Sequence, residues 1–542
     1  MPLPLRALAP LIATTVTSPA VADTPMDVPG LVEVASAAGI EHVYDGPWEY
    51  FVGGGVAAFD CSGDRRPDLV IAGGVNPVRL FVNRSTPGTL AFAEQGLGLD
   101  AAQATGVLGA YPLDVDGDGQ LDLVLLRVGA NLVLQGGPDC SFTPANRLWS
   151  IDGGRAWTTA FAATFEAGST APTLAFGHYV DRSQPGSPWG TCHDNDLLRP
   201  ASTDPLTYGE PLPLAPGHCA LSMLFTDWDD SGRHDLRITN DRHYHLEGEE
   251  QLWRIEPGAL PRPYRRADGW RTLRIWGMGI AEADLTGTGR PVYALTSMGD
   301  TKLQALDEEA LPGEPLYRDI AFERGATAHR PYIGDDLRPS TGWHAQFADL
   351  NNDSLLDLFV AKGNVEAMPD FAAHDPDNLL LGAWDGRFVE AGAVAGIALD
   401  RRGRGGAVVD LDLDGRLDLV VVNRAAPVSV FHNRDAVDGR PLGNWLQVEL
   451  RQAGPNPFAV GARLAVRIGT RTLVRTIQVG GGHASGQLGW VHLGLGVAER
   501  AEVRVRWPDG AWSHPYRVFA DNFVILERDR PAASYWYPAT AP

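Results

Sequence analysis

Several things are scarce or missing in this 542-residue chain, and each absence excludes something. No run of 18 or more apolar residues follows the first few dozen positions, so no mature segment could cross a membrane as a helix. Positive charge is short: 45 Lys and Arg against 67 Asp and Glu give 45 − 67 = −22. A chain that acidic has no general attraction for nucleic acid, because phosphate binding needs the opposite sign. Cysteines number four and form no C-x-x-C pair, which argues against a zinc site. No G-x-S-x-G elbow, H-E-x-x-H helix or phosphate loop occurs. Methionines number only six, whereas Gly reaches 62 and Pro 40, a turn-rich composition suited to an all-β chain. Hydrophobic residues at 44% and charged residues at 21% are ordinary globular values.

Residues 1–22 read as a secretory signal. Arg6 is the positive start, an apolar stretch runs from Leu8 to Val16, and Ala20-Val21-Ala22 is a small-residue cleavage pattern. Four cysteines in an exported chain suggest two disulfides.

One pattern organises the rest: an apolar run, a carboxylate-rich nonapeptide, then a second apolar run. The clearest copies are Asp114, Asp116, Asp118, Gly119, Asp122 and Asp410, Asp412, Asp414, Gly415, Asp418. Weaker copies are Asp60, Ser62, Asp64, Asp68; Asp227, Asp229, Ser231, Asp235; and Asn351 and Asp353 between Asp349 and Asp357. Arg65 and Ser354 stand where the others have the turn glycine. The copy at Asp284 has lost its last carboxylate to Val292, and a slot ending at Thr173-Leu174-Ala175 has no acids. Slots some 51–65 residues apart, over roughly residues 30–440, predict a seven-bladed β-propeller, with a solenoid as the runner-up.

Carboxylates at positions 1, 3, 5 and 9 of such a loop converge on one point and suit a hard cation such as Ca²⁺, which wants six to eight oxygens. The residue at position 12 is apolar and lies in a strand-like run, which excludes an EF-hand. The expected cofactor is several calcium ions, with a transition metal on the other face a lesser reading.

These residues make the chain resemble the FG-GAP/VCBS propellers, whose calcium-loop repeats also occur in integrin α heads. More closely, it resembles the cartilage acidic protein family with its ASPIC/UnbV C-terminal domain. The resemblance rests on Trp276-Gly-Met-Gly-Ile280, Gly342-Trp343 and Arg404-Gly-Gly-Ala407 ahead of their acid loops. In the C-terminal part it rests on Asn444-Trp-Leu-Gln-Val448, Gly461-Ala-Arg463, Gly480-Gly-Gly482, Leu493-Gly-Leu-Gly496 and Val505-Arg-Trp507-Pro-Asp509-Gly510. It implies a secreted or periplasmic calcium-binding propeller with a small β domain attached, serving as a binding platform. Residues 441–530 read independently as a β-sandwich-like module with one wet face, from the alternation in Leu446–Leu450, Leu464–Ile468 and Val503–Trp507. Residues 531–542 form a tail.

If each acid loop joins the first two strands of its blade, residues flanking those strands on the far side share the opposite face. That face collects His178, Asp241, Arg242, His243, His245, Trp343, His344, Lys362 and Arg404, types that bind anionic, sugar-like or metal ligands. The leading expectation is an exported binding or scaffold protein for a protein, glycan or small anionic partner. The alternative is a metal-dependent hydrolase of phosphate esters or glycans using the same His, Asp, Lys and Arg groups. Strand direction also pairs the cysteines, Cys61 with Cys140 on the acid-loop face and Cys192 with Cys219 on the other.

Overall fold

The computed structural model describes residues 26–184, 191–241, 248–334 and 336–538; the signal segment and Arg242, His243 and His245 lie outside them. The apolar runs become strands buried on both faces, so they read as continuous hydrophobic stretches without alternation. The second, third, fourth and last slots each form a four-stranded antiparallel sheet, the first is extended to five strands by Gly486–Leu488, and the fifth and sixth join in one eight-stranded sheet. The first uses Val56–Phe59, Asp68–Ile71, Arg79–Asn83 and Phe92–Gln95. The acid-free third slot folds the same way on Thr158–Thr164 and Thr173–His178. The long connection between the third and fourth slots contributes a small hairpin of Pro200–Thr203 and Leu206–Tyr208.

The last sheet is completed from the other end of the chain. Pro29–Glu33 pairs antiparallel with Ser429–Ala436, next to Asp418–Asn423 and Gly403–Val409. The first strands of successive sheets touch in series, and that of the last sheet touches that of the first. Apolar clusters fill the gaps between neighbouring sheets, as where Leu350, Phe359, Leu379, Val408, Leu419 and Phe431 meet.

Behind the repeats come two four-stranded sheets. One contains Val491–Gly496, Asn444–Arg451, Asn522–Glu527 and Ser534–Trp536, and the other Arg471–Thr476, Arg463–Ile468, Arg500–Arg506 and Tyr516–Phe519. The expectation of one wet face fails for Asn444–Arg451. Gln447 and Glu449 are buried along with Leu446, Val448 and Leu450, because that face lies against the acid loops. Glu449 holds Arg65 at 2.9 Å, and Gln447 donates to Asp410 at 3.0 Å.

A glycine-rich segment of this module runs through the centre of the repeats. Val479 bridges Ala163, Gly482 bridges Ile280, and Gly486–Leu488 pairs parallel with Val56–Phe59. The backbones come so close that a Cβ on Gly55 would sit 1.8 Å from the Ala484 carbonyl oxygen.

Both disulfides form as the strand directions require, Cys61–Cys140 and Cys192–Cys219. The first closes a span of 79 residues across two sheets. By loop-closure entropy, Cys140→Ser should cost about 2–5 kcal/mol. Cys192→Ser, opening a span of 27 residues, should cost less. Denaturant titration of both variants checks the order.

Candidate metal centres

The acid loops share one backbone construction. The first carboxylate accepts from the backbone N–H at position 6: Arg65 to Asp60 at 2.7 Å, Gly119 to Asp114 at 2.9 Å, Ser354 to Asp349 at 2.8 Å and Gly415 to Asp410 at 2.9 Å. This turn needs a positive φ at position 6. Gly119 and Gly415 supply it at 87° and 88°, while Arg65 at 64° and Ser354 at 71° adopt it despite their side chains. Both of those side chains lie at the junction with the C-terminal module, Arg65 on Glu449 and Ser354 under Arg471.

The last carboxylate opens the second strand and ties the loop to two other segments. Asp122 accepts from Val115 N–H and Gly136 N–H, and Asp418 from Leu411 N–H and Asn433 N–H. Asp357 and Asp68 repeat the pattern. Each oxygen of Asp122 and Asp418 thus takes one backbone donor and keeps a lone pair free.

The electrostatics differ sharply among repeats. In the second, Asp114, Asp116 and Asp122 offer oxygens within 4.8 Å of one another with no arginine beside them. Burial pushes Asp122 up to about 8 and Asp114 up to about 7, and the neighbouring carboxylates add to it. In the seventh, Asp410, Asp412 and Asp418 converge in the same way, and Asp412 Oδ1 is buried without a partner. Burial and mutual repulsion hold Asp410 and Asp418 well above the carboxylate range. Asp349 and Asp357 are raised for the same reasons in the sixth. Crowded, desolvated carboxylates with free lone pairs fit a divalent cation. The residues able to hold one are Asp114, Asp116, Asp118 and Asp122, and Asp410, Asp412, Asp414 and Asp418. In the sixth repeat Asp349, Asn351, Asp353 and Asp357 qualify. In the first, Asp60, Ser62, Asp64 and Asp68 qualify, with Arg66 already on Asp64 at 3.2 Å.

The fourth repeat does not fit. Asp235 accepts from Ile255 N–H, the Trp228 indole, the Tyr264 hydroxyl and Arg233 Nε and Nη2, which saturates its lone pairs. Asp227 faces Arg506 at 3.3 Å and Arg463 at 3.8 Å. Of the residues expected to bind calcium here, Asp227, Asp229, Ser231 and Asp235, the carboxylates already have guanidinium groups beside them. Asp284 in the fifth repeat takes four backbone N–H groups by itself.

Two of the strand-run residues missed by the loop pattern bear on these sites. His432 lies 3.2 Å from Asp412, and Gln135 donates to Asp116 at 2.7 Å. Each immediately precedes, or lies one place before, the third-strand residue that ties down the last carboxylate. The C-terminal module covers the loops, leaving a cavity of about 430 Å³ bordered by Asp60, Asp284, Asp410 and Gln478.

The residues expected on the opposite face are mostly committed to partners inside the fold. Trp343 and His344 lie within the strand Ser340–Ala348, not ahead of it, because that strand begins early and shifts register between Gly342 and Ala345. Trp343 is buried, its indole donating to Gly363 carbonyl at 2.8 Å. His344 accepts from His483 N–H at 3.1 Å. Burial pulls His344 down to about 4 and His483 to about 3, so both are neutral imidazoles. Arg404 stacks 4.1 Å from the Trp343 ring and donates to the carbonyls of Phe51, Gly403, Asn364 and Val365. Lys362 is buried 2.6 Å from Asp375, His178 pairs with Asp196 at 3.0 Å, and Asp241 accepts from Tyr179. Trp48 and Phe51 pack on Trp157. Hence Arg404, Trp343 and His344 do meet, but in a buried knot and not in an open funnel.

Residues 60–125 and 349–421 match the family described as FG-GAP-like repeat, and residues 452–532 match ASPIC and UnbV. Cartilage acidic protein 1 of Homo sapiens is 36% identical over 240 residues, covering 43% of this chain and 33% of that protein. The Mus musculus protein of the same name is 28% identical over 240 residues, 43% of this chain and 34% of that one. The chain spans about a third of the length of these curated relatives. Among solved structures, BBS1N in complex with ARL6DN aligns at a TM-score of 0.42 and 11% identity, over 71% of this chain and 93% of that one. That likeness is too loose to bear on fold or function. With acid loops matched near both ends of the repeats and the second module matched behind them, the chain carries FG-GAP-like repeats followed by a segment matching ASPIC and UnbV, and is similar over 240 residues to cartilage acidic protein 1.

Proposed function

We propose that this is an exported, calcium-stabilised seven-bladed propeller that acts as a binding or scaffold protein. The observation that carries the reading is the set of desolvated carboxylates in the second repeat, Asp114, Asp116 and Asp122, converging within 4.8 Å; in the seventh Asp410, Asp412 and Asp418 converge likewise, with Arg416 on Asp414 and His432 3.2 Å from Asp412. Asp412 Oδ1, buried and unpartnered, is the atom most in need of a cation. Calcium here is structural. With affinities of extracellular type, each ion adds on the order of 1 kcal/mol at millimolar calcium by mass action. Two disulfides and no free cysteine among the described residues support an oxidising, periplasmic or extracellular location.

The ASPIC/UnbV module sits over the acid loops, so a protein, glycan or anionic partner is expected on the opposite face or on the module's outer sheet. The hydrolase alternative draws no support from Lys362, His178, His344 or Arg404, whose polar groups already have partners. The test is calcium content by elemental mass spectrometry of the purified chain. Asp412→Asn should lose one ion per chain and lower Tm by a few degrees, and chelator should lower it further. Full calcium content in Asp412→Asn, or a Tm indifferent to chelator, would refute the calcium reading.

A further inference from the structure

The fourth repeat keeps the loop backbone of its neighbours. Gly232 N–H donates to Asp227 at 3.0 Å, with φ of 82° at Gly232. Its carboxylates nevertheless have other partners. Arg463 Nη1 lies 2.7 Å from Asp230, and Arg506 Nη1 lies 2.5 Å from the same oxygen and 3.3 Å from Asp227. Both arginines come from adjacent strands of the ASPIC/UnbV module, paired directly as Arg463↔Arg506. Two like charges side by side on a sheet repel one another, and here a shared pair of carboxylates opposes that repulsion. Arg233 occupies the remaining side, 2.9 Å from Asp235 and 3.6 Å from Asp229. Asp235 receives five hydrogen bonds from four residues, so no lone pair remains for a metal.

We propose that the fourth acid loop is the anchoring post of the ASPIC/UnbV module, with Arg463 and Arg506 standing where a divalent ion would stand in the second and seventh loops. The loop retains the calcium-type turn and uses its negative charge to hold a second domain. The anchor lies near the path of the threaded segment. Gly461, two residues before Arg463, packs on His234 of the fourth repeat, and Gly481 N–H donates to Met223 carbonyl at 2.6 Å. Holding the module at this point keeps Val479–Leu488 in the channel. The proposal extends the calcium reading of the other repeats but does not need it, because the anchor contains no metal.

Two measurements on the full chain decide it. Calcium content should be unchanged in Asp227→Asn while Asp412→Asn loses an ion; loss of an ion from Asp227→Asn would overturn the proposal. Independently, amide exchange across residues 479–488 is followed in chelator. The Arg463→Gln/Arg506→Gln double variant should exchange there roughly tenfold faster or more, since breaking a partly buried charge pair weakens docking. Arg467→Gln, which removes an outward-facing partner of Glu502, should change nothing. Exchange unchanged in the double variant, or equally accelerated by Arg467→Gln, would overturn the anchor. A wild-type chain holding no calcium would defeat the calcium reading alone and leave the exchange result to stand.

Discussion

In chelator, the protein will lose stability as pH rises from 6.5 to 8, and millimolar calcium will abolish or reverse that slope. Asp68 and Asp114 are pushed up to about 7 and Asp122 to about 8, chiefly by burial. Asp349, Asp357, Asp410 and Asp418 are held well above the carboxylate range by burial and by one another. A carboxyl raised in the folded state binds a proton that the unfolded chain has already released. Its penalty is absent below about pH 4, grows through the interval, and is complete above the folded value. Buried His234, His344, His483 and His492, pulled down to about 3 or 4, work in the other direction. Their cost appears as pH falls below about 6.5, where the unfolded imidazoles protonate. Four such imidazoles only partly offset the seven carboxyls, so the calcium-free optimum should lie well below pH 6, toward the range where the unfolded carboxyls protonate. Calcium holds the carboxylates ionised, so the loaded protein has no such penalty, and protons should compete with the ion below pH 7. Thermal midpoints across this range, with and without chelator, test both statements; a flat profile in chelator would refute them.

Gly55→Val should cost on the order of 5 kcal/mol, more than the overpacking of an ordinary core site. A Cβ at residue 55 meets the Ala484 carbonyl oxygen at 1.8 Å and its carbon at 2.5 Å, both backbone atoms. Ala484 has no room to retreat, because its carbonyl already accepts from Ala110 N–H at 3.1 Å and a Cβ on Gly109 would meet it at 2.6 Å. Relief comes only by withdrawing the threaded segment. That exposes the buried imidazole of His483, whose Nε2 accepts from Gly53 N–H at 3.1 Å. The expected result is a lowered unfolding midpoint together with faster amide exchange at 479–488. A variant with wild-type stability and exchange would show that the channel can do without the segment. Gly63→Ala, with nothing within 4 Å of its Cβ, is a suitable control; its φ of 83° makes any cost local.

Much of this molecule is readable from local chemistry. The D-x-D-x-D-G-x-x-D spacing places one carboxylate on the position-6 N–H and another at the start of the next strand, and the structure has them there. The positive φ inferred from Gly119 and Gly415 holds even where Arg65 and Ser354 replace glycine. Strand direction paired the four cysteines because it left two on each face, and in the structure each pair has Cα atoms close enough to bond, 4.7 Å and 5.0 Å apart. The acid-free third slot folds like the others, because the apolar runs and not the acids build the sheet.

What local chemistry could not supply is which polar groups another segment covers. Gln447 and Glu449 alternate with apolar residues as solvent-facing residues do, yet they lie against Asp410 and Arg65. Gly480 to Gly482 looks like a turn and is instead the narrow backbone that fits between crowded inner strands. Asp227 and Asp235 have the spacing of a cation site, but Arg463 and Arg506, more than 220 residues away in sequence, complete the loop. Periodicity and turn chemistry act over a few residues and specify strands, loops and their φ angles. The charge state and occupancy of a carboxylate cluster depend on every group within a few ångströms, and only the packing of one module on the other brings those groups together.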